Sequence, residues 1–326
     1  MLWWVRFPHA PAIRPGWASL KTLLVINPAA GHGRGGRLAR QAIAEVRRVW
    51  PHAEVARTSE PGSATNIARR GAVAGLETIL VLGGDGTLHE VANGVLQAEV
   101  SSPPAIAAIP VGTGNDFARL TGTHGLGVTQ ALAALVSRRR RHIDVGRAWD
   151  EYFINSLGVA LAGEVAYRVN RMERLGGLSA YLIGVLQTMW SYQPTHLTVV
   201  SDDGEVLSED CLALEVGNGS TSGGGFRLTP DARPDDGMLD FCFIRPLGKI
   251  GLLTKLPRAI RGRHVGLPQV TMGRSSRLTI RAKDRSLRAH FDGEYRSPGA
   301  REITIATVPG ALPVLVTERS ILAGST

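Results

Sequence analysis

Thr78-Ile79-Leu80-Val81-Leu82-Gly83-Gly84-Asp85-Gly86-Thr87-Leu88-His89-Glu90-Val91-Ala92 decides how this chain is read. An apolar run of strand length enters a glycine turn without a spacer. A helix pattern follows at once, with Leu88, Val91, Ala92, Val95 and Leu96 at i, i+3, i+4, i+7 and i+8. A strand apolar throughout, a tight turn and an amphipathic helix make one half of a βαβ unit. The same order recurs on either side. Residues 22–26 form an apolar run that ends in the glycine-rich stretch 27–36, and a helix pattern from Leu38 stops at Pro51. A short strand at 54–57 leads through Thr58 into a helix up to Ala74. Residues 105–109 form another strand, followed by Pro110-Val111-Gly112-Thr113-Gly114-Asn115-Asp116, where Asn115 or Asp116 would cap the next helix. Strands alternating with helices predict a parallel sheet with helices on both faces.

The second half changes character. Strand-like runs at 143–148, 152–160, 197–200, 211–216, 238–244, 277–281, 287–290 and 302–307 are short and punctuated by turn residues. One helical stretch, 164–191, interrupts them. This pattern predicts an antiparallel β-sandwich. The arginine run 138–141 marks the boundary region, giving an α/β domain at 21–141 and a β-sandwich domain at 142–308. Residues 309–326 are free to rejoin the first domain.

Composition narrows the function classes. With 44% apolar and 20% charged residues the chain has the balance of a packed protein, not a disordered one. Two cysteines, Cys211 and Cys242, exclude a disulfide framework and a four-cysteine metal site. The apolar start, Met1 to Val5, is too short for a signal sequence, and the apolar part of the longest uncharged stretch, 178–190, is too short to span a bilayer. A cytoplasmic location is expected. The net charge of +9 is uneven: residues 245–288 carry twelve Lys or Arg against Asp284 alone. Such a segment fits an anionic surface such as a membrane, or equally an ordinary solvated face.

Three strand ends in one parallel sheet carry glycine turns. They share one edge, where α/β proteins bind ligands. Glycine amides and the following helix N-termini make an anion cradle, so a phosphate or nucleotide site is expected. No Gly-Lys-Ser/Thr follows, so this is not a Walker loop, and the spacing does not fit a dinucleotide fingerprint. Asp85, flanked by glycines, is placed to hold Mg²⁺ or to act on a phosphate.

The motif 83–90 together with Pro110-Val111-Gly112-Thr113-Gly114-Asn115-Asp116-Phe117-Ala118-Arg119 resembles the diacylglycerol kinase catalytic-domain family, in its soluble bacterial lipid-kinase branch. Asn27-Pro28-Ala29-Ala30-Gly31 and Phe291-Asp292-Gly293-Glu294 match two further signatures. The resemblance spans about 22–305. It implies an active site between the two domains, with ATP as donor and a lipid hydroxyl, diacylglycerol first, as acceptor. By resemblance, Asn27, Pro28, Ala29, Ala30, Gly31, Thr58, Gly83, Gly84, Asp85, Gly86, Thr87, Leu88, His89 and Thr113 contact ATP, with Asn115 and Asp116 beside them. Glu294 accepts the hydroxyl proton, with Asp292 adjacent. Asp85 competes for that role, since the related sphingosine kinases are thought to use the Asp of this turn; Glu294 is favoured here. Residues 231–238 resemble a structural Mg²⁺ loop, with the Asp236 side chain and the carbonyls of Arg233 and Met238 as ligands. His89 departs from the Asn common at its position, and is expected to donate to phosphate as Asn would. Asn218 reads as a turn former. A lipid-membrane partner, contact with an anionic surface and no nucleic acid follow, and a homodimer is left open. The rival readings are an NAD kinase-like enzyme and a non-catalytic lipid-binding regulator.

Overall fold

The apolar runs of the first half become β1 (Thr22–Ile26), β2 (Glu54–Arg57), β3 (Thr78–Gly83) and β4 (Ala105–Pro110). The computed structural model describes residues 21–136, 139–171, 187–204 and 206–322. The four strands lie parallel in the order β2-β1-β3-β4. Their alternation serves two cores. Leu23, Val25, Ile79, Val81, Ile106 and Ala108 face the helices α2 (Ser63–Val73) and α3 (Asp85–Leu96). Leu24, Ile26, Leu80, Leu82, Ala107 and Ile109 face α1 (Ala30–Val49) and α5 (Val128–Val136). Between them in sequence comes the short α4 (Asp116–Thr121).

α1 corrects one expectation. It begins at Ala30, inside the stretch expected to be loop, and is kinked where Gly31, His32 and Gly33 take positive φ of 58°, 57° and 81°. A Cβ on Gly35 would stand 2.0 Å from the Asn27 carbonyl oxygen. These glycines therefore let the first turn of the helix lie directly on the end of β1.

The second half builds β5 (Arg139–Ala148), β6 (Glu151–Phe153), β7 (Ser156–Ala160), α6 (Leu161–Arg171), β8 (Thr195–Ser201), β9 (Val206–Cys211), β10 (Ala213–Gly217), β11 (Leu239–Ile244), α7 (Lys249–Ile260), β12 (Val270–Ser275), β13 (Arg277–Ala282), β14 (Ala289–Phe291), β15 (Glu294–Arg296) and β16 (Glu302–Val316). An antiparallel sheet runs β12-β11-β10-β7-β14-β15. It packs on β8, β13 and the first half of β16 through Leu157, Val216, Phe241, Leu197, Ile280 and Ile305. Those three strands belong to the same sheet as β1–β4, because β16 shifts register between Val308 and Leu312 and then pairs parallel with β4 at Val314 and Ile106.

Three sequence readings change here. Arg139, Arg140 and Arg141 open strand β5 and pair along β16. The run read as one strand from 152 is broken at Ile154 and Asn155. α7 was not read at all: it has Pro257 inside it and no buried residue, so its pattern carries little core signal. Most of the apolar run 178–190 lies outside the described residues. No helix among the described residues is long and apolar enough to cross a membrane.

Candidate active site

The carboxyl ends of β1, β3 and β4 meet at one edge, and the order β2-β1-β3 puts the point where the winding reverses between β1 and β3. The glycine turns touch. A Cβ on Gly31 would lie 1.9 Å from the Val111 carbonyl oxygen, and one on Gly112 would lie 2.6 Å from the Gly84 Cα. Asn27 ties the turns together, accepting the Ala29 N–H (3.0 Å) and donating Nδ2 to Thr87 Oγ1 (2.9 Å). Asn27, Pro28, Ala29, Ala30, Gly31, Thr58, Gly84, Gly86 and Thr87 line one cleft of about 520 Å³, with Glu90 and Glu294 on its walls. The N-terminus of α3 opens at the same turn, so amides and helix dipole favour an anion there.

Other residues expected at the nucleotide lie elsewhere. Gly83 is buried at the end of β3, and Leu88 is core, 1% exposed. Asn115 closes its own turn, donating Nδ2 to the Gly112 carbonyl (2.8 Å). Asp116 faces away from the cleft and accepts the Gly224 N–H (2.7 Å). Thr113 is exposed on the loop between them.

His89 is the clearest correction. Its Nδ1 is 2.9 Å from Asp292 Oδ2 and its Nε2 2.7 Å from Glu151 Oε1, so no ring nitrogen is left for a phosphate. Burial alone would lower its pKa, but the hydrogen bonds to Asp292 and Glu151 raise it to about 9. It is therefore an imidazolium donating to two carboxylates. Glu151, in turn, takes a bidentate clasp from Arg296, both contacts at 2.7 Å. Burial acts to raise its pKa, yet His89 and Arg296 hold it at about 2.

Asp292 sits in the β14–β15 turn at φ 50°. Besides His89 it accepts the N–H groups of Ile154 (2.9 Å), Asn155 (2.7 Å) and Ser156 (3.1 Å). These contacts are what break the strand at 154–155. Asp292 therefore has both oxygens engaged, and its side chain is 1% exposed.

Asp85 opens α3 and accepts the Phe117 N–H at 3.1 Å. Burial, then the nearby charge of Asp116, raises its pKa to about 7 against the pull of the Phe117 and Asn115 amides. A carboxyl balanced near neutrality suits proton transfer. Glu294 points across to Gly86: a Cβ there would be 2.5 Å from Glu294 Oε1.

Behind Asp85 the sandwich half encloses a second cavity, about 340 Å³ in volume. Its walls are apolar, with Leu161, Val165, Met189, Leu212, Leu252 and Leu256 prominent. Its lining also includes Asp85, Asp116, Glu215, Asp292 and His290. Asp85 thus stands between an apolar chamber and the glycine cleft.

In the loop 231–238 the carboxylates of Asp235 and Asp236 both pair with arginines. Asp236 Oδ1 accepts the Met238 N–H (3.1 Å), and Oδ2 pairs with Arg274. The Arg233 side chain pairs with Asp235 (3.3 Å). No group of three or more His, Cys, Asp or Glu side chains converges on an ion position among the described residues. Arg274 also approaches Asp240 at 3.5 Å, so the Asp236 carboxylate expected to ligate an ion is paired with a guanidinium.

Sequence reasoning missed Glu151, Arg296, Glu215 and His290. They are isolated residues on strands and carry no motif. Asn218, read as a turn former, is wholly buried and donates to the carbonyls of Asp144 and Ile154, both at 2.8 Å.

Comparison with known proteins agrees with this geometry. Residues 21–148 match the diacylglycerol kinase catalytic domain. Residues 156–316 match the YegS C-terminal NAD kinase beta sandwich-like domain. The chain is 34% identical over 232 residues to a Chromohalobacter salexigens protein named "Probable lipid kinase YegS-like", covering 69% of this chain and 71% of that one. It is 27% identical over 273 residues to the diacylglycerol kinase of Bacillus subtilis, covering 83% and 89%. A crystal structure of a diacylglycerol kinase from Bacillus anthracis superimposes with a TM-score of 0.69 at 22% identity, covering 92% of this chain and 98% of that one, which is a likeness of fold. The chain belongs to the diacylglycerol kinase family, and so to the lipid kinases, phosphotransferases that use ATP.

Proposed function

We propose that the chain transfers the γ-phosphoryl group of ATP to the hydroxyl of an acylglycerol. Diacylglycerol, which would yield phosphatidic acid, is the acceptor that the named relatives indicate. The observation that carries this reading is the position of Asp85 between the glycine cleft and the apolar chamber. ATP lies in the cleft lined by Asn27, Gly31, Thr58, Gly84 and Thr87, where Mg²⁺ bound to the nucleotide would neutralise phosphate charge. The lipid enters the chamber with its hydroxyl toward Asp85.

Asp85 accepts the hydroxyl proton as the oxygen lone pair forms a bond to the γ-phosphorus. The bond between that phosphorus and the bridging oxygen breaks, ADP leaves, and Asp85 later passes its proton to water. Loop amides and the α3 N-terminus hold the charge, which is most of what phosphoryl transfer requires. This assigns the base to Asp85 and not to the Glu294 favoured from sequence, because Asp85 lines the lipid chamber and Glu294 lines the nucleotide side. Glu294 then orients the nucleotide, while Asp292 and His89 hold the 154–156 strap.

The acceptor is a bilayer component, so the enzyme works as a peripheral membrane protein. α7 supports this: Leu252 and Leu256 face the chamber, while Lys249, Ile250, Leu253 and Arg258 face outward. Radiolabelled ATP with a panel of lipids in mixed micelles tests the reading. Label should move to a neutral acylglycerol. Label moving to NAD and to no lipid would reverse it in favour of an NAD kinase.

A further inference from the structure

A polar cavity of about 360 Å³ lies beside α6 and shares no lining residue with the glycine cleft or the apolar chamber. α6 separates it from the chamber. Leu161, Val165 and Val169 line the chamber, while Glu164 and Arg168 line this cavity. Its charged lining is Arg168, Arg285 and Arg288 against the single carboxylate of Glu164, which leaves two positive charges uncompensated. The guanidiniums are only partly used. Arg168 meets Glu164 through Nε at 3.3 Å and Arg288 meets it through Nη1, one nitrogen each. Arg285 is exposed and makes no ion pair among the described residues.

Two contacts fix the walls of this cavity. The Arg288 guanidinium lies over the Tyr167 ring at 4.5 Å. A Cβ on Gly163 would stand 2.0 Å from the Arg288 carbonyl oxygen, so α6 rests directly on the backbone entering β14. Ser191 and Ser286 add exposed hydroxyls. Arginine forks match phosphate oxygens in pairs. A phosphate monoester carries about −1.5 to −2 near neutral pH, which is the charge this cavity lacks. We propose that Arg168, Arg285 and Arg288 form an accessory binding site for a phosphate monoester, distinct from the nucleotide cleft. Bound there, the phosphate bridges α6 to the 283–288 segment that leads into β14, and so braces one wall of the chamber. Two sources share that chemistry: a soluble phosphate ester and the head group of a phosphorylated lipid. The site stands apart from the kinase reading, and its test uses no turnover.

The test is titration calorimetry of the full chain at low salt, with the glycine cleft saturated by MgADP. The probes are glycerol 3-phosphate and dihexanoyl phosphatidate, the same phosphate monoester without and with acyl chains. Saturable binding of both assigns the site to a soluble ester as well, and binding of the phosphatidate alone assigns it to a lipid head group. In either case Arg285→Gln should weaken binding by at least about tenfold, the scale of a lost charge-assisted hydrogen bond. Arg285 is exposed and unpaired, so this variant should keep its fold, which thermal melting checks. Arg70→Gln, which removes the same charge from the exposed face of α2, should bind as the wild type does. Binding of neither probe, or binding that Arg285→Gln leaves unchanged, overturns the site. An equal loss in Arg70→Gln reduces the binding to non-specific charge attraction and overturns it as well.

Discussion

His89 Nδ1 lies 2.9 Å from Asp292 Oδ2, joining the first turn of α3 to the β14–β15 hairpin across more than 200 residues of sequence. The contact fixes the hairpin that carries Glu294 against the helix that carries Asp85. Both side chains are almost wholly buried, and Glu151 completes the arrangement from β6. Removing the imidazolium would leave the buried Asp292 carboxylate without its cation. His89→Leu should therefore cost about 3–5 kcal/mol, the range for breaking a buried ion pair from one side. Thermal unfolding should shift down by roughly 10 °C in a chain of this size. An unchanged melting temperature would show that the contact carries no net stability.

The same group sets a pH window. His89 titrates near 6.5 when unfolded and near 9 when folded. Its stabilisation is full below about 6.5 and is lost as pH rises through about 9. Glu151 shifts the other way, from 4.5 to about 2, so its contribution is full above about 4.5 and is lost as pH falls toward 2. Asp85 accepts a proton only above its pKa of about 7. The kcat/KM profile should accordingly rise through about 7 and fall near 9. Asp85→Asn should abolish the rising limb, and a flat profile in the wild type would remove Asp85 from proton transfer.

Asp85 and Glu294 are separable by their partners. Asp85→Asn should lower kcat by at least about 10²-fold, the scale of a lost electrostatic group in an active site, with ATP affinity nearly kept. Glu294→Gln should act chiefly on the KM for ATP, because Glu294 lines the nucleotide cleft. Steady-state kinetics with both substrates varied distinguishes the two. A larger kcat loss in Glu294→Gln would restore Glu294 as the base.

Much of this was legible because glycine turns and alternating apolar strands leave marks in sequence. The Gly83–Gly86 turn and the parallel sheet follow from local pattern. The 154–156 strap did not, because it is held by side chains distant in sequence: Asp292, Asn218 and Asn93, whose amide exchanges hydrogen bonds with the Tyr152 backbone at 2.9 Å. His89 was misread for the same reason. Its place in the motif points to phosphate, while its partners, Glu151 and Asp292, come from other elements. α7 escaped notice because a helix that buries no residue lacks the stripe by which helices are recognised.

Asp236 and Arg274 bear on the expected magnesium loop. The Arg274 guanidinium spans Asp236 and Asp240, and burial together with the nearby Asp236 and Asp231 charges leaves Asp240 with a pKa of about 6. With nucleotide absent, magnesium or a chelator should therefore change the melting temperature little. Arg274→Met should destabilise the loop by exposing these carboxylates to one another. A rise of several degrees on adding magnesium to the wild type would show that an ion displaces Arg274 and occupies the loop.

α7 forms part of the chamber wall with Leu252 and Leu256, and its outer side is unusual for a protein surface. Ile250 is 79% exposed and Leu253 44%, and the nearby Trp190 is 63% exposed beneath the Lys249 ammonium at 4.5 Å. Apolar side chains and an indole flanked by cations suit the boundary between head groups and acyl chains. Other arginines of the basic segment are already paired: Arg245 with Glu209, Arg281 with Glu302 and Arg288 with Glu164. Arg258, Arg261 and Arg263, at the end of α7, are exposed and make no ion pair among the described residues. Each contributes about 1 kcal/mol near an anionic surface, screened within a Debye length. Together that is about 3 kcal/mol, or roughly a hundredfold in partitioning. Sedimentation with phosphatidylglycerol vesicles should exceed that with neutral vesicles and decline as salt rises. Changing the three arginines to Glu should release the protein from anionic vesicles while leaving ATP affinity intact, and Ile250→Ser with Leu253→Ser should weaken what binding persists at high salt. Equal binding of wild type and variants to both vesicle types would remove α7 from the docking surface.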